Sequence, residues 1–453
     1  MHKIKFRADG VVVPAISSWA RAMIMIRRVC SSSISTTHIQ ARHEHLVLPP
    51  TPAGIEFASN LLKSGRLVAF PTETVYGLGA NALNAQAVEQ VFAVKERPLT
   101  DPLIVHVLNS TAARHLINAT EMEISLFNAL GKHFWPGPLT LIVQAAPAVP
   151  GIITANTGKV GIRVPAHPVA RALLEASQLP IAAPSANLFG HVSPTRCAHV
   201  LSDLGAKHVH VLHGEYEGGG SSGSDLSVSS SLADVLSSTS CEHGIESTVL
   251  KIDGAAQQVL LLRHGTIGTR QIQMVLDEVR NNDSSAAWKL QVGSTQRVGN
   301  APAAPQGAVA SPGEEAPGQS VTHYAPALPC YVVLSSSNGG SSTSKFAGEA
   351  AESPLRLLRE DLAHTVVLDF GGILASHRDA ALAYRDLSAD GSYVEAAACV
   401  FDSLRWAELQ HTARMVILPD LNLQNLSCAD SVAIASGLHD RLYRAASGRS
   451  IVV

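Results

Sequence analysis

The sequence lacks several features that would fix a function class by themselves. Its six cysteines are scattered without a C-x-x-C pair, which indicates neither a zinc knuckle nor a disulfide framework, and makes a reducing compartment the default expectation. No apolar run approaches about 18 residues, so we expect no membrane span. The net charge is −3, which provides no global basic field for nucleic acid.

Two common catalytic signatures are missing as well. The chain has no Walker A motif and no H-E-x-x-H metal motif. What it does have is 46% hydrophobic and 16% charged residues over 453 positions. That composition is typical of a globular protein, and the length is sufficient for two or three domains.

The stretch from Gly65 to Pro98 combines a strand, a turn and a helix in close succession. Leu67 to Phe70 is a short apolar run, typical of a buried strand. A polar turn at 72–74 and the glycines at 77 and 79 follow. A helical pattern of apolar residues then runs toward Lys95.

Two basic residues stand at the end of that helix. Pro98 biases Arg97 away from helical geometry, so we expect the helix to end near Lys95. On an extended segment Lys95 and Arg97 would share a face and form a small clamp for an anion. For K-x-R-P alone, a solvated basic surface turn is the more ordinary interpretation.

Alternating helix and strand patterns continue over the rest of the chain. We expect an α/β domain with a twisted mixed sheet at 46–280, and a smaller three-layer, Rossmann-like α/β domain at 329–453. A linker rich in Pro, Ala, Gly and Ser at 281–328 joins them, and a Gly/Ser-rich insertion at 218–240 interrupts the first domain.

Residues 1–45 are rich in serine and arginine and resemble a mitochondrial transit peptide. A disordered extension, or upstream sequence before a start at Met23 or Met25, is the competing interpretation. We expect a cytoplasmic protein. Because of the serine- and arginine-rich segment, a mitochondrial copy or dual targeting stays open as the alternative.

Polar side chains follow two of the predicted elements. Pro184-Ser185-Ala186-Asn187 comes after a short strand, at the edge where open α/β sheets bind ligands. Ser193 is the expected N-cap of the next helix. A helix N-terminus beside this loop could hold a phosphate, although a capped helix after a loop explains the spacing equally well.

Other candidates interrupt or flank apolar strands. Arg163 in VGIRV needs a partner, either a substrate carboxylate or an acidic or backbone acceptor of the protein. His106 in LIVHV is more ordinarily a satisfied core histidine. Glu246-Ser247-Thr248 is typical of a turn before a strand, and Arg263 after VLLL is a further candidate for binding phosphate oxygens.

In combination, these stretches resemble the YrdC-like threonylcarbamoyl-AMP synthases in their long, two-domain form. The resemblance rests on FPTETVYGLGANA (70–82), KERPLTDPLIVHV (95–107), WPGPLTLIV (135–143), VGIRVPAHP (160–168), IAAPSAN (181–187), SPT (193–195), GIESTV (244–249), LLR (261–263) and APGQSVTHYAP (316–326). The C-terminal part is more loosely similar, through SLRWAEL (403–409) and DRLYRAAS (440–447).

The resemblance implies a reaction. L-Threonine, bicarbonate and ATP, with Mg²⁺ on the ATP phosphates, would give threonylcarbamoyl-adenylate, pyrophosphate and water. This nucleotidyl transfer is the first step toward N6-threonylcarbamoyladenosine at position 37 of tRNA, and the product would pass to the tRNA threonylcarbamoyl-transferase machinery. The implied fold has an open positive cavity, over which the linker with HYAP folds back.

The resemblance also implies roles for individual residues. The signature K-x-R … S-x-N corresponds to Lys95, Arg97, Ser185 and Asn187 as the catalytic set. The implied ATP contacts are Lys95, Leu99 (main chain), Lys159, Ser185, Ser193, Arg263 and Tyr324. The implied threonine contacts are Thr72, Ile104, His106, Arg163, Ala183 and Ser247. No metal ligand is expected from the protein itself.

Departures and alternatives accompany this assignment. Residues 319–322 stand where relatives often carry a basic, aromatic stretch, and His264 stands where proline is common. A hydrogenase-maturation carbamoyltransferase uses the same fold module but would need paired zinc cysteines and an acylphosphatase segment. A binding module for double-stranded RNA or tRNA without catalysis is the second alternative, and RNA contact in addition to catalysis also stays open.

Overall fold

The fold is built on two β-sheets. The computed structural model describes residues 43–214, 241–283, 287–293, 313–318, 323–334, 355–421, 423 and 429–452. An eleven-stranded mixed sheet forms the N-terminal unit, and a six-stranded sheet forms the C-terminal unit. The predicted α/β fold with a large mixed sheet and a smaller second sheet is confirmed.

The N-terminal unit alternates short strands with helices. Its strands are β1 (Val47–Leu48), β2 (Val68–Phe70), β3 (Gly77–Asn81), β4 (Ile104–His106), β5 (Leu139–Gln144), β6 (Lys159–Arg163), β7 (Ile181–Ala182), β8 (His210–Leu212), β9 (Thr248–Asp253), β10 (Gln258–Arg263) and β11 (Lys289–Val292). Its helices are α1 (Pro52–Lys63), α2 (Ala85–Lys95), α3 (Ser110–Arg114), α4 (Glu121–Phe134), α5 (Pro168–Ser177), α6 (Cys197–Leu204) and α7 (Thr269–Asn282).

The strand order of the large sheet is β1-β8-β2-β3-β7-β4-β6-β5-β9-β10-β11. Parallel and antiparallel pairs alternate irregularly across it, as in the antiparallel pair β2–β3 and the parallel pair β4–β6. Neighbours in this order are mostly distant in sequence. The order therefore brings the ends of strands from separate parts of the chain to one region.

The C-terminal unit is a parallel sheet with two long helices. Its strands are β12 (Cys330–Leu334), β13 (Leu355–Arg356), β14 (Thr365–Asp369), β15 (Ala383–Asp386), β16 (Met415–Leu418) and β17 (Ser450–Val452), and its helices are α8 (Tyr393–Glu408) and α9 (Ala429–Ala445). The strand order is β13-β17-β12-β16-β14-β15, and every pair is parallel.

The three-layer arrangement expected for this unit is not seen in the part that the structure describes. Residues of α8 and α9 share one hydrophobic cluster with one face of the sheet. The opposite face packs on short segments, including the 3₁₀ turns Asp361–His364 and Ala375–His377. The unit therefore has a long-helix layer on one side only within the described residues.

The segment Gly77–Asn81, which the sequence did not predict as a strand, forms strand β3. Both glycines allow close packing: a Cβ on Gly79 would lie 2.9 Å from Phe70 Cε1 and 2.9 Å from Ile181 Cγ2. Sequence patterns underrate such strands because glycine has low strand propensity. Here the missing side chains let β3 fit between β2 and β7.

Two other expectations concern the linker and the insertion. The range predicted as linker contains strand β11, which pairs in parallel with β10. The prediction of a plain linker at 281–328 is therefore wrong at Lys289–Val292. The Gly/Ser-rich insertion at 218–240 and the first 42 residues lie outside the described residues. No helix in the described part of the chain is long and apolar enough to cross a membrane.

The two units share a hydrophobic core. Val75, Val192 and Ile245 of the N-terminal unit belong to the same buried cluster as residues of α8, α9 and the C-terminal sheet. Tyr324, which precedes β12, belongs to it as well. Helices α8 and α9 therefore pack against the N-terminal unit as well as against their own sheet.

Buried ion pairs cross the same interface. Arg405 of α8 binds both carboxylate oxygens of Asp203 at 2.9 Å, and Arg196 Nε lies 2.8 Å from Asp402. His191 bridges Asp203 and Glu408, at 2.9 and 3.0 Å. Burial alone would lower the pKa of His191, but its hydrogen bonds to the two carboxylates raise it to about 9.

The raised pKa of His191 predicts a pH-dependent interface. Its protonated form stabilises the folded state fully below the ordinary histidine pKa of 6.5, and this contribution is lost as pH rises through about 9. The shift corresponds to roughly 3 kcal/mol. We expect His191→Gln to lower Tm at pH 6 and to differ less from wild type at pH 10.

His133→Gln is the control, because His133 pairs with Glu278 in a half-exposed position and such pairs contribute little. A constant gap in Tm between wild type and His191→Gln from pH 6 to pH 10 would contradict the bridging role.

The close fit of β3 predicts a second stability effect. Gly79→Ala would overpack the contact with Phe70 and Ile181 and should lower the free energy of unfolding by about 1–3 kcal/mol. Gly161→Ala on β6 is the control, since its nearest heavy atom, Thr140 Cγ2, would lie 3.3 Å away. Equal urea midpoints for the two variants would rule out the packing argument.

Candidate active site

A cavity of about 560 Å³, counted out to open solvent, is lined by residues of the N-terminal unit and of the segment that precedes the C-terminal unit. Its lining comes from several separate segments of the chain. The lining residues are Thr72, Thr74, Val75, Tyr76, Gly77, Arg97, Pro102, Ile104, His106, Arg163, Ala183, Pro184, Ser185, Glu246, Ser247, Arg263, Pro317, Gly318, His323 and Tyr324.

Arg163 is held in the cavity wall by Glu73. Its Nη2 donates to Glu73 Oε1 at 2.6 Å, and its Nη1 donates to Thr74 Oγ1 at 2.9 Å. The other Glu73 oxygen accepts from the backbone N–H groups of Ala166 and His167. The sequence left open whether Arg163 pairs with a substrate carboxylate or with an acceptor of the protein. The structure shows an acidic partner from the protein, Glu73. A guanidinium has five donors, so Arg163 retains donors for a ligand.

The charge state of this pair follows from its contacts. Burial would raise the pKa of Glu73, but the charge and hydrogen bonds of Arg163, with the backbone N–H donors, hold it below its usual value. Glu73 is therefore an anion at neutral pH and fixes the guanidinium plane of Arg163.

Arg263, at the end of β10, is a second arginine of the lining. Its Nη2 donates to Ser247 Oγ at 3.0 Å, its Nε to Ser247 O at 3.1 Å and its Nη1 to Pro317 O at 3.4 Å. All these acceptors are neutral. Burial lowers the pKa of Arg263 from its ordinary value. A neighbouring anion would therefore stabilise Arg263 more than it would stabilise an arginine that is already paired with a carboxylate.

Arg97 is the third arginine in the lining. It forms a salt bridge with Asp101 at 2.8 Å and donates to Pro102 O at 2.9 Å. Arg97 follows Glu96, which has a positive φ of 56° and ends helix α2. The left-handed residue turns the chain, so Arg97 leaves the helix as expected.

Lys95 is not among the lining residues, and the clamp of Lys95 and Arg97 around one anion stays a prediction. The Lys95 side chain is 1% exposed, and its Nζ donates to Ser185 O at 2.6 Å and to Asn187 O. Burial, and then the charge of Arg97, hold the pKa of Lys95 well below its usual value. The lysine supports the backbone of the 184–187 loop, and Ser185 of that loop lines the cavity.

Ser193 is not the N-cap of a helix, which corrects a prediction. Helix α6 begins at Cys197, and its N-cap Arg196 makes no side-chain capping bond. The Ser193 hydroxyl instead donates to Glu246 Oε1 at 2.6 Å. Residues 193–195 cannot start the helix because Pro194 O accepts from Tyr76 N and holds the segment beside the cavity wall.

Ten of the fifteen residues that the sequence nominated line the cavity. They are Thr72, Arg97, Ile104, His106, Arg163, Ala183, Ser185, Ser247, Arg263 and Tyr324. The hydroxyl of Thr72 is engaged locally, since it donates to Val75 O at 2.6 Å and lies 2.8 Å from Thr74 Oγ1. Burial, and then Arg163, lower the pKa of His106 to about 3, so its ring is neutral at pH 7.

The other five nominated residues lie outside the lining. They are Lys95, Leu99, Lys159, Asn187 and Ser193. The Leu99 side chain is 61% exposed. The amide of Asn187 donates to Leu188 O and His191 O and so closes its own loop. Lys159 lies 3.8 Å from Glu315, on the segment that continues into Pro317 and Gly318 of the cavity wall.

Sequence reasoning missed three residues at or behind the cavity. Glu246 lines it but was interpreted as part of a turn, and His323 was quoted only as part of HYAP. Arg441 lies behind it, bonded to Glu246 at 3.0 Å. The signals that the sequence offered were an acid, Glu246, close before an apolar strand and an arginine, Arg441, among the apolar residues of the last helix.

Two family models match the chain. Residues 60–231 match the model described as "Telomere recombination", and residues 267–447 match the model described as "Threonylcarbamoyl-AMP synthase, C-terminal domain". Together they cover parts of both units.

Curated relatives match as well. Threonylcarbamoyl-AMP synthase of Pyrococcus abyssi is 35% identical over 279 residues, which is 62% of this chain and 67% of the relative. The protein of the same name from Bacillus subtilis is 40% identical over 223 residues, which is 49% of this chain and 56% of the relative. The aligned part thus spans between about half and two thirds of these relatives.

A solved structure extends the match to both units. The crystal structure of Pyrococcus abyssi Sua5 complexed with L-threonine superposes with a TM-score of 0.63 and 26% identity. The superposition covers 90% of this chain and 99% of that chain. The predicted family resemblance is confirmed by these matches.

The buried Arg163–Glu73 pair predicts a large stability effect. Glu73→Gln would leave the Arg163 guanidinium without its anion, and breaking a buried pair costs about 3–5 kcal/mol. We expect a lower urea midpoint for this variant. Because the two residues are in contact, Glu73→Gln combined with Arg163→Met should destabilise less than the sum of the single changes. Strict additivity in this cycle would refute the pairing.

Proposed function

Because the chain belongs to the threonylcarbamoyl-AMP synthase family, we propose that it joins L-threonine, bicarbonate and ATP into threonylcarbamoyl-adenylate. The threonine amine would combine with bicarbonate to give a carbamate. A carbamate oxygen would attack the α-phosphorus of ATP, with pyrophosphate as leaving group and one water released overall. All three reactants are anionic or carry an anionic group.

One observation carries this proposal: three arginines from separate segments line a single cavity. Arg97, Arg163 and Arg263 suit oxygen anions, because each offers donors in a fixed planar fork. A protein that assembles three anionic reactants needs little covalent chemistry of its own. It must hold the reactants together against their repulsion and stabilise charge on the leaving group.

We assign threonine to the side of the cavity at Arg163. The match to a relative with L-threonine bound supports this substrate. The free donors of Arg163 would bind the threonine carboxylate, and Thr72, His106, Ala183 and Ser247 would surround the rest. The neutral ring of His106 adds no positive charge that would repel the threonine amine before it reacts.

We assign ATP to the side of Arg263, Ser185 and Tyr324. Arg263 donates hydrogen bonds only to neutral acceptors among the described residues, so a phosphate would be its first anionic hydrogen-bond partner. A charge-assisted hydrogen bond of this kind contributes roughly 1.5–3 kcal/mol. Lys95 would act through the 184–187 loop, because its ammonium group is occupied by two carbonyl groups there.

We propose that Mg²⁺ enters with ATP. No group of three or more His, Cys, Asp or Glu side chains in the described part of the chain could hold a metal ion. The Glu246 carboxylate, which lines the cavity, is bonded to Arg441 and Ser193. An ion held mainly by phosphate oxygens fits such a cavity and would supply charge neutralisation for the leaving pyrophosphate.

The proposed product is a reactive mixed anhydride, so a second activity must transfer its threonylcarbamoyl group. We propose that this acceptor is adenosine 37 of tRNA, through the transferase machinery that the family serves. Transfer of the intact group would release AMP, which restores the ordinary nucleotide pool.

The proposed function predicts pyrophosphate release from ATP that depends on both L-threonine and bicarbonate. Mass spectrometry with ¹³C-bicarbonate should detect labelled threonylcarbamoyl-adenylate. Pyrophosphate release that is unchanged when threonine or bicarbonate is left out, or no release from folded protein with Mg²⁺ present, would reject the function.

Lys95 provides a variant with a matched control. Lys95→Met keeps the volume but leaves the carbonyl groups of Ser185 and Asn187 without their donor, so kcat/KM should fall on the order of 100-fold. Lys207→Met is the control: Lys207 pairs at the surface with Glu96, next to Lys95. An equal loss in both variants would show that only net charge matters.

A further inference from the structure

Arg441 of helix α9 is a fully buried cation that leaves its own unit. The residue is 0% exposed, and its Nε lies 3.0 Å from Glu246 Oε2 in the N-terminal unit. Its Nη1 donates to His264 O at 2.6 Å. A desolvated guanidinium is costly unless it is paired and hydrogen-bonded, and these partners in the other unit supply both conditions.

The groups that Arg441 binds lead directly to the cavity. Glu246 lines the cavity and is followed by Ser247, which lines it too. His264 directly follows Arg263. The Arg441 guanidinium also lies 5.5 Å from the centre of the Tyr324 ring, which is another part of the lining. One side chain of the C-terminal unit thus contacts three separate segments of the cavity wall.

Glu246 extends this connection to a fourth segment. Its Oε2 is held by Arg441 while its Oε1 accepts from Ser193 Oγ at 2.6 Å. The residue after Ser193, Pro194, accepts from the backbone of Tyr76, which is in the lining. Displacement of the Glu246 carboxylate would therefore loosen two walls of the cavity.

Close backbone packing fixes the position of Arg441. Gly437, one helical turn earlier on α9, is so near the N-terminal unit that a Cβ there would lie 2.9 Å from Ile245 Cδ1 and 3.3 Å from Gly265 O. Gly244, with a φ of +67°, is equally close to α8: a Cβ there would lie 2.4 Å from Ala397 O. The segment that carries Glu246 and Ser247 is therefore gripped between α8 and α9.

We propose that Arg441 is a positioning residue for the active site, supplied by the C-terminal unit. By fixing Glu246 and the backbone after Arg263, it sets the positions at which Ser247 and Arg263 present their donors. The C-terminal unit thereby takes part in the synthase reaction without itself touching substrate. This inference rests on the proposed function.

The test compares Arg441→Met with wild type and with Glu408→Gln. Glu408 is an interface residue of α8 that binds His191 and Ala327, neither of which lines the cavity. Threonine- and bicarbonate-dependent pyrophosphate release is measured at a temperature where all variants are folded by circular dichroism. We expect kcat/KM to fall on the order of 100-fold for Arg441→Met and to stay within about threefold for Glu408→Gln.

A double-mutant cycle on kcat/KM distinguishes the positioning role of Arg441 from a merely structural one. If Arg441 acts partly through the carboxylate, Glu246→Gln should lower kcat/KM by itself, and Arg441→Met should cause a smaller loss in that variant than in wild type. Independent, multiplying losses would overturn the proposal. Unchanged kcat/KM in Arg441→Met, or equal losses in Arg441→Met and Glu408→Gln, would also overturn it.

A second variant covers the case in which Arg441→Met does not fold. Arg441→Lys keeps the charge but cannot reach Glu246 and His264 O together, so we expect at least a tenfold loss of kcat/KM, and an unchanged value overturns the proposal. Wild-type protein without dependent pyrophosphate release would instead reject the proposed function, so the two failures are distinguishable.

Discussion

Desolvating several arginines around one cavity is the constraint on which this structure depends. Arg97 and Arg163 each have a carboxylate of their own, Asp101 and Glu73. Arg263 has only the hydroxyl and carbonyl oxygens of Ser247 and the carbonyl of Pro317 within the described residues. Arg97 and Arg163 are therefore held by carboxylates that balance their charge. An added anion would be stabilised most at Arg263, whose hydrogen-bond acceptors are neutral. Electrostatic preorganisation of this kind needs no rearrangement when ligands bind.

The packing of the C-terminal unit against the N-terminal unit serves the same constraint. Three polar residues at or behind the cavity wall each adjoin an apolar residue that is buried in the cluster formed with α8 and α9. The pairs are Thr74 with Val75, Ser193 with Val192 and Glu246 with Ile245. An eleven-stranded sheet alone would leave these apolar side chains on its surface. Packing the C-terminal helices against them removes water from behind the cavity, which strengthens the electrostatic interactions within it.

The sequence predicted most of the regular structure because long apolar patterns dominate it. Helix α2 was expected to stop at Lys95 and does, since Pro98 and the left-handed Glu96 end it. Strand β3 was missed because glycine-rich strands carry no alternating pattern. Ser193 was assigned to a helix start because serine before proline is typical of one. Its real partner, Glu246, is 53 residues away, and local spacing carries no information about such a contact.

The spacing of S-x-N has a physical reason that only the structure reveals. Alternate residues of an extended chain direct their backbone groups to the same side. On one side, Pro184 O accepts from Leu78 N and Ala186 N donates to Tyr76 O, which joins the loop to the chain around β3.

On the other side, the carbonyl oxygens of Ser185 and Asn187 both accept from Lys95 Nζ. The lysine and the two loop residues are thus linked through main-chain atoms, and any residue type could supply a carbonyl. The side chains of Ser185 and Asn187 must therefore serve other needs. Ser185 lines the cavity, and the Asn187 side-chain amide donates to the carbonyl oxygens of Leu188 and His191. Lys95 provides the rigidity that makes those side-chain positions useful.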